Sequence, residues 1–280
     1  MQQIAISVER RRSKHLFWVW ILLIAITKMV ASAQDPSAQL VSRVAANVQE
    51  QQRGIPDFVA HEDVTMQEME NDKLIHEKHI VSQFQAIHSD SKSKNNEQRN
   101  VISATEDGKP QNRSGYVLPI GVRGGFAEDA PGYFGGTNPS CFDFEIVRQE
   151  QLRGRSAIIV AMRRKKSSLA DSACAAAHKV DASAWIDAET YRILRLELGQ
   201  MKELDYSVPL RRENGVYTYS PVIEYGEVQI ADRSYWVPIE KRVDFVKENG
   251  KVTYKYVVRY SDFHKFVSTS RIIDVGDANK

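Results

Sequence analysis

The sequence predicts an α+β protein, mainly antiparallel β, in which an N-terminal helix precedes one curled sheet or incomplete barrel. Three observations predict it. Two long segments of period two flank Asn249-Gly250. Apolar residues recur at helical spacing from about position 40, and several other segments alternate apolar and polar residues. Period two is typical of strands with one buried face, and spacings of three and four are typical of an amphipathic helix. Neighbouring strands joined by short turns favour an antiparallel sheet.

The clearest strand pair spans residues 235–263. Its second half places Val252, Tyr254, Tyr256, Val258 and Tyr260 on one face of a strand. Asn-Gly between two such segments is the strongest short signal for a hairpin. We therefore predict a long hairpin that turns at Asn249-Gly250.

Residues 1–33 have the three parts of a secretory signal peptide. A basic group at 10–14 precedes eleven uninterrupted apolar residues, 16–26, and the small residues 31–33 form a cleavage site between Ala33 and Gln34. Eleven residues are too few to span a membrane core of about 30 Å as a helix. We expect cleavage and a periplasmic or secreted protein, or alternatively an uncleaved N-terminal anchor facing the periplasm. The expected domains are the signal peptide 1–33, one domain over 34–275 and a flexible tail over 276–280.

Elements between the signal peptide and the hairpin follow in order. Asp35 and Pro36 begin a helix that runs to about Gly54. Three short strands are predicted in 57–110, with residues 89–99 as a polar hairpin loop. Residues 113–140 are rich in Gly and Pro and carry Phe126, Tyr133 and Phe134. A loop of this kind is either a lid or a plain crossover.

The second half is predicted to continue the sheet. Strands are expected near 142–146, 156–162, 185–190 and 194–198, then one bent strand or a pair over 217–230, and a last strand over 266–273. A sheet with so many strands twists and curls, and one helix is too small to cover its inner face. The expected cavity wall consists of Leu194, Leu196, Leu198, Tyr254, Tyr256, Val258 and Tyr260. The alternative is that these side chains simply fill the core.

Cys141 and Cys174 are the only two cysteines. Two cysteines in an oxidising compartment favour a disulfide, although two unpaired thiols remain possible at this stage. The bridge would close a loop of about 32 residues and stabilise the fold by roughly 3–4 kcal/mol.

Several classes of function are disfavoured by the sequence. Without residues 1–33, which hold five of the 38 Lys and Arg and one of the 36 Asp and Glu, the chain has 33 basic and 35 acidic residues. Such a balance does not predict nucleic-acid binding. His76 and His79 are one residue short of a zinc-protease spacing, and nucleophile, phosphate-loop and dinucleotide motifs are missing. We predict no catalytic residues, no metal and no cofactor.

Three motifs carry a family resemblance: residues 185–193 (WIDAETYRI), 235–238 (YWVP) and 260–266 (YSDFHKF). With the helix after the signal peptide, they make residues 38–275 resemble the LolA/LolB-like periplasmic lipoprotein carriers, and more closely a secreted bacterial group of that type. The resemblance implies an incomplete barrel closed by a helical or loop lid, an apolar cavity for acyl chains, and no catalysis. By analogy it suggests outer membrane lipoprotein sorting.

Two hypotheses lead. In the first, a monomeric, non-enzymatic envelope protein binds an acyl lipid or lipoprotein in its curled sheet, with Phe126, Tyr133 and Phe134 as lid residues, and touches the inner membrane only through its signal segment. In the second, an interaction module with a filled core acts through an edge strand or the basic residues 163–166. An enzyme on this scaffold is a third, weaker hypothesis, because it would need polar groups converging inside the sheet.

Overall fold

The computed structural model describes residues 35–88, 95–112, 126–204, 216–247 and 250–266. Ala33 and Gln34, with the rest of the predicted signal peptide, lie outside them, as do the predicted tail and nearly all of the predicted strand 266–273. The contacts between residues separate the chain into two compact units, with the boundary between Gln39 and Leu40. All core contacts discussed below are within residues 40–266.

Helix α1 (Pro36–Gly54) confirms the predicted N-terminal helix. The Asp35 carboxylate accepts the backbone N–H of Ser37 at 3.0 Å, as a helix cap does. Leu40, Val41, Val44 and Val48 form its buried stripe, which is the face that the apolar spacing predicts. A second, short helix, α2 (Asp129–Phe134), lies in the Gly- and Pro-rich segment. In the described part of the chain no helix is long and apolar enough to cross a membrane.

The strands are more numerous and longer than the sequence predicts. They are β1 (Phe58–Glu70), β2 (Lys73–His88), β3 (Asn95–Glu106), β4 (Lys109–Pro110), β5 (Phe142–Leu152), β6 (Arg155–Arg164), β7 (Ala182–Asp187), β8 (Ile193–Leu198), β9 (Met201–Leu204), β10 (Val216–Ile230), β11 (Arg233–Lys247) and β12 (Val252–Lys265). The first three are long rather than short, and residues 95–99, predicted as loop, belong to β3. The segment 217–230 is one continuous strand, and β11 and β12 confirm the predicted hairpin.

All described pairings are antiparallel, and the sheet has the order β4-β3-β2-β1-β12-β11-β10-β8-β7-β6-β5, with β9 beside β10. β12 is the strand that joins the two halves, because it pairs with β1 on one side and β11 on the other. In the described part of the chain the end strands β4 and β5 are not paired with each other. The fold is therefore a curled, unclosed antiparallel sheet with an N-terminal helix, as predicted.

Two buried clusters fill the fold. We call the first the helix-covered core, since it combines the buried stripe of α1 and residues of α2 with strands β5–β8 and parts of β10 and β11. We call the second the aromatic interior. It is built on β1–β3 and β10–β12, and its buried members are Ile55, Phe58, Ala60, Val64, Met66, Ile80, Phe84, Ala86, Ala104, Tyr217, Ile230, Val237, Val243, Phe245, Tyr254, Tyr256, Val258, Tyr260 and Phe263.

Candidate functional site

Four alternate residues of β12 form a stripe in the aromatic interior. Tyr254, Tyr256 and Val258 are fully buried, and Tyr260 is 8% exposed. Successive side chains of a strand point to opposite faces, so these four share one face. Lys255 and Arg259, between them, are exposed. The β12 residues that the sequence predicts as a cavity wall therefore lie on one continuous surface.

β1 brings two carboxylates onto the same face. Its residues alternate between buried and partly exposed from Phe58 onward, and Glu62 and Glu68 fall in the buried phase at 0% and 5% exposure. The register places Glu62 opposite Tyr260 and Glu68 opposite Tyr254. A buried carboxylate needs hydrogen bonds or an opposite charge, so these two mark places where the apolar lining is interrupted.

Glu62 is held by a guanidinium from β3. Arg99 Nε lies 2.9 and 3.0 Å from the two carboxylate oxygens of Glu62, and Arg99 Nη1 lies 3.5 Å from Glu97. Tyr260 also hydrogen-bonds to Glu62. Burial raises the pKa of Glu62, and Arg99 offsets only part of that rise. Burial likewise raises the pKa of the Tyr260 hydroxyl. These residues form a compact polar cluster at one end of the stripe.

Phe126, a predicted lid residue, lies against this cluster. Its backbone N–H donates to the Glu97 carboxylate. Its ring centroid is 4.9 Å from that of Tyr260, 5.1 Å from Phe58 and 5.5 Å from Phe84, with the Tyr260 contact edge-to-face. Edge-to-face and tilted aromatic pairs add about 0.5–1.5 kcal/mol beyond their area. The ring thus packs on the aromatic interior at its Glu62 end.

Tyr254 and its neighbour on the stripe, Tyr256, lie at the other end. The Tyr256 ring is edge-to-face with Phe245 at 5.3 Å, and Tyr217 and Tyr254 form a similar pair at 5.9 Å. The Tyr256 hydroxyl oxygen is buried and has no hydrogen-bond partner among the residues that the structure describes. Burial raises the pKa of this hydroxyl, and Tyr254, Tyr217 and Glu68 raise it further. Phenol and carboxylate groups therefore gather at this end of the stripe.

The remaining predicted wall and lid residues lie elsewhere. Leu194, Leu196 and Leu198 are buried in the helix-covered core, and so are Tyr133 and Phe134 of α2. Tyr133 donates to the Val180 carbonyl at 3.1 Å, and Phe134 packs at 5.7 Å on Phe144. The structure therefore divides the predicted wall and lid between two clusters, and only the β12 set and Phe126 meet in the aromatic interior.

Cys141 and Cys174 are joined by a disulfide in the structure. Both are buried, and the chain between them is fastened by Arg164. Its guanidinium donates to the carbonyls of His178 at 2.7 Å and of Ser168 and Cys174 at 3.1 Å. Arg164 is therefore a structural clamp on this loop and not part of an exposed basic patch. Two other members of the basic cluster 163–166 pair with carboxylates, since Arg163 lies 3.2 Å from Glu145 and Lys165 lies 3.8 Å from Asp143.

Three of the described histidines make separate polar contacts. His79 lies 2.8 Å from Asp63 and His76 lies 2.9 Å from Asp107, in separate pairs. His178 contacts the Asp129 carbonyl at 3.1 Å, and burial lowers its pKa more than Asp129 raises it. Among the residues that the structure describes, no group of three His, Cys, Asp or Glu side chains could hold a metal ion.

Two open surface pockets adjoin the helix-covered core. One of about 500 Å³ is lined by small residues between Pro131 and Asn138 together with His178. The other, of about 350 Å³, lies beside Leu198 where β6, β7 and β8 end or begin. Neither is lined by the β12 stripe. Polar groups and small side chains form most of the lining of both pockets.

The buried polar groups are what sequence reasoning missed. From the sequence we predict no polar groups that converge inside the sheet. The signal was present in β1, where Glu62 and Glu68 share the period-two phase of Phe58, Ala60, Val64 and Met66. Arg99 had no such signal, because its pairing with Glu62 depends on the register of β2 and β3.

Comparison with known proteins gives similarity of fold. No protein-family model matches the sequence, and no curated protein is similar to it. Among solved structures, a putative outer membrane lipoprotein-sorting protein domain from Vibrio parahaemolyticus is similar, with 11% identity, a TM-score of 0.40 and coverage of 79% of this chain and 90% of that one.

Two further structures are similar at the same level. One is a DUF1329 family protein from Desulfovibrio piger, with 12% identity and a TM-score of 0.39; the other is a LolA superfamily protein from Nitrosomonas europaea, with 12% identity and a TM-score of 0.31. Each match covers 85% of this chain and 96% of the other. Both similarities concern the fold alone, at TM-scores below 0.5.

Proposed function

We propose that this chain is a non-enzymatic envelope protein that binds the acyl chain of a lipid or of a lipid-modified partner in its aromatic interior. The mature protein would begin at Gln34, after removal of the signal peptide, and act in the periplasm or outside the cell. Lipoprotein sorting is one role that such a binding site could serve.

One observation carries the proposal. Every described member of the aromatic interior lies outside the helices, whereas the other cluster is covered by α1 and α2. A sheet face lined by aromatic and aliphatic side chains, and enclosed mainly by its own strands, is the kind of concave apolar surface that holds lipophilic ligands. Between Glu62 and Glu68 the inward residues of β1 are Val64 and Met66, so the lining is apolar along six residue steps, about 20 Å of extended strand.

A second candidate function has an observation of its own. The seven predicted wall residues are at most 8% exposed, and the two surface pockets of about 500 and 350 Å³ lie away from the β12 stripe. These facts favour an interaction module with a filled core. Its partner would meet β5, an end strand on which Ile146 and Val147 are 38% and 48% exposed.

The first experiment is native mass spectrometry and lipid extraction of the chain from Gln34 onward, purified from its own cell envelope. We expect a co-purifying acyl lipid or lipopeptide. After delipidation, a monoacylglycerol added in excess should raise the melting temperature, because a ligand that binds only the folded state stabilises it. A bare chain with no thermal shift on addition of acyl ligands would reject this function and favour the interaction module.

A pair of variants locates the binding site. Tyr256→Glu places a charge in the aromatic interior, and Lys255→Glu places the same charge on the exposed face of the same strand. We expect loss of acyl binding only in the first, with both chains retaining their far-UV circular dichroism. Equal loss in the two variants would place binding elsewhere. If Tyr256→Glu does not fold, the thermal shift of the unaltered chain still decides the proposal.

A further inference from the structure

The Tyr256 hydroxyl is a hydrogen-bonding group that the described part of the fold leaves unused. The side chain is fully buried, and among the described residues its oxygen has no hydrogen-bond partner. A buried hydroxyl without a partner costs about 1–3 kcal/mol, so the position is unfavourable unless a bound group supplies the missing bond. Phenylalanine would fill the same space without that cost.

The surroundings of this hydroxyl define what can bind there. Tyr256 faces Met66 of β1 and Val243 of β11 in the sheet register, which are both apolar. Glu68, one inward position further along β1, is the charged group that acts on the hydroxyl, together with the phenols of Tyr254 and Tyr217. Lys78, on the strand beyond β1, is already paired with Glu106 at 3.1 Å.

A neutral acceptor fits this site better than an anion. A buried phenol keeps its proton and donates one hydrogen bond, which is enough for the carbonyl oxygen of an ester or amide. A carboxylate or phosphate would have to lose its water beside the Glu68 carboxylate with only neutral phenols near it in return, and burial of an anion without a cation is costly.

We infer that Tyr256 is the polar subsite of the acyl-binding interior, and that it selects ligands whose acyl chain ends in an uncharged ester or amide carbonyl over free fatty acids. This inference rests on the proposed function and adds the chemical class of the ligand. The acyl chain would lie along the apolar lining between Tyr256 and the Glu62–Arg99 cluster.

The test compares three ligands of equal chain length: a monoacylglycerol, its monoalkyl ether analogue, which lacks the carbonyl, and the free fatty acid. Dissociation constants are measured by calorimetry for the delipidated mature chain and for Tyr256→Phe. We expect the chain to bind the ester more tightly than the ether or the acid. One neutral hydrogen bond corresponds to about a three- to tenfold preference, and Tyr256→Phe should abolish the preference of ester over ether.

Two further variants make the result specific. Tyr260→Phe removes a hydroxyl from the same strand at the Glu62 end, and it should leave the ratio of ester to ether affinity unchanged. Glu68→Gln should bring the fatty acid closer to the ester in affinity, because it removes the negative charge that acts on the subsite.

The outcomes separate this inference from the proposed function. If none of the three ligands binds, the proposed function fails and the inference fails with it. If all bind but the ester-to-ether ratio is the same with and without the Tyr256 hydroxyl, only the inference fails. Should Tyr256→Phe not fold, the unaltered chain decides, since equal or tighter binding of the fatty acid would also overturn the inference.

Discussion

Glu224 is a buried carboxylate on β10 that three arginines share. Arg195 Nε and Arg242 Nη2 lie 2.7 and 3.0 Å from one of its oxygens, and Arg153 Nη2 lies 3.5 Å from the other. These arginines come from β8, β11 and the turn between β5 and β6, so the carboxylate connects elements far apart in sequence. Without its charge, three guanidinium groups would remain close together.

We predict that Glu224→Gln lowers the free energy of unfolding by about 1–3 kcal/mol, the size expected for hydrogen bonds between a buried carboxylate and partly exposed guanidinium groups. Urea denaturation followed by circular dichroism measures it. Glu227→Gln is the matched control, because Glu227 lies on the same strand and is exposed. The same loss in both variants would show that the arginines do not depend on Glu224.

Asp187, the last residue of β7, makes the stability of the protein depend on pH. Burial alone would raise its pKa. The backbone N–H of Thr190 at 2.8 Å, Arg155 at 3.0 Å and the N–H of Glu189 at 3.0 Å outweigh that effect, so the pKa is lowered. Because the folded-state pKa is below the unfolded one, the contribution is present at neutral pH and is lost as the pH falls below about 4.

Asp187→Asn should therefore be less stable than the unaltered chain at pH 7, and the difference should shrink between about pH 4 and 2, where the aspartate is protonated. Unfolding free energies measured across that range give the result. A difference that stays constant with pH would mean that the Asp187 charge contributes nothing beyond its hydrogen-bonding geometry.

At the scale of elements, the disulfide closes the loop that carries two short 3₁₀ turns between β6 and β7. Cys141 and Cys174 are 33 positions apart. In the chain-entropy description such a bridge restricts the unfolded chain and stabilises the fold by roughly 3–4 kcal/mol. Arg164 fastens the same loop to the carbonyls of Ser168, Cys174 and His178.

We expect the double variant Cys141→Ala/Cys174→Ala to lose about 3 kcal/mol of unfolding free energy while keeping its sheet content. Dithiothreitol should lower the melting temperature of the unaltered chain and leave that of the double variant unchanged. A reductant effect on both chains would point to a cause other than this bridge.

Elements with a strong local pattern could be predicted, and those set by distant partners could not. The α1 stripe and the β11–β12 hairpin follow from spacing and from a turn dipeptide. The polar residues 95–99 are predicted as a loop because the groups that hold Glu97 and Arg99 lie elsewhere in the sequence: Arg99 bonds Glu62 of β1, and Glu97 accepts the backbone N–H of Phe126. The disulfide is predicted from the oxidising compartment and from the presence of two cysteines. The surroundings of the Tyr256 hydroxyl depend on the register of β12 with β1 and β11, which the sequence pattern does not give.

The predicted cavity-wall residues fall into two clusters because the contacts of a strand face depend on distant partners. Period two tells which residues of a strand share a face, but it does not tell which strands that face meets. Leu194, Leu196 and Leu198 alternate on β8 as regularly as the tyrosines do on β12. Their strand pairs with β7 and β10, and they lie in the cluster covered by α1 and α2.

At the scale of the whole molecule, β12 is the strand on which both halves of the sheet depend. Its partners are β1, about 190 residues earlier, and β11 next to it in sequence. Three of its inward residues are fully buried. Amide exchange in such a strand requires the sheet to open on both sides, whereas an end strand opens alone.

Hydrogen exchange followed by mass spectrometry should therefore find peptides of β12 among the slowest and peptides of β5 markedly faster, although both strands are long. β5 is bonded on one side by β6 in the described structure, and most of its residues from Glu145 to Gln151 are exposed. If an acyl ligand enters the aromatic interior, its addition should slow exchange in β12 and in β1 further and leave β5 unchanged. Slower exchange in β5 than in β12 would contradict the central role of β12, since it would mean that the end of the sheet outlasts the strand that joins its halves.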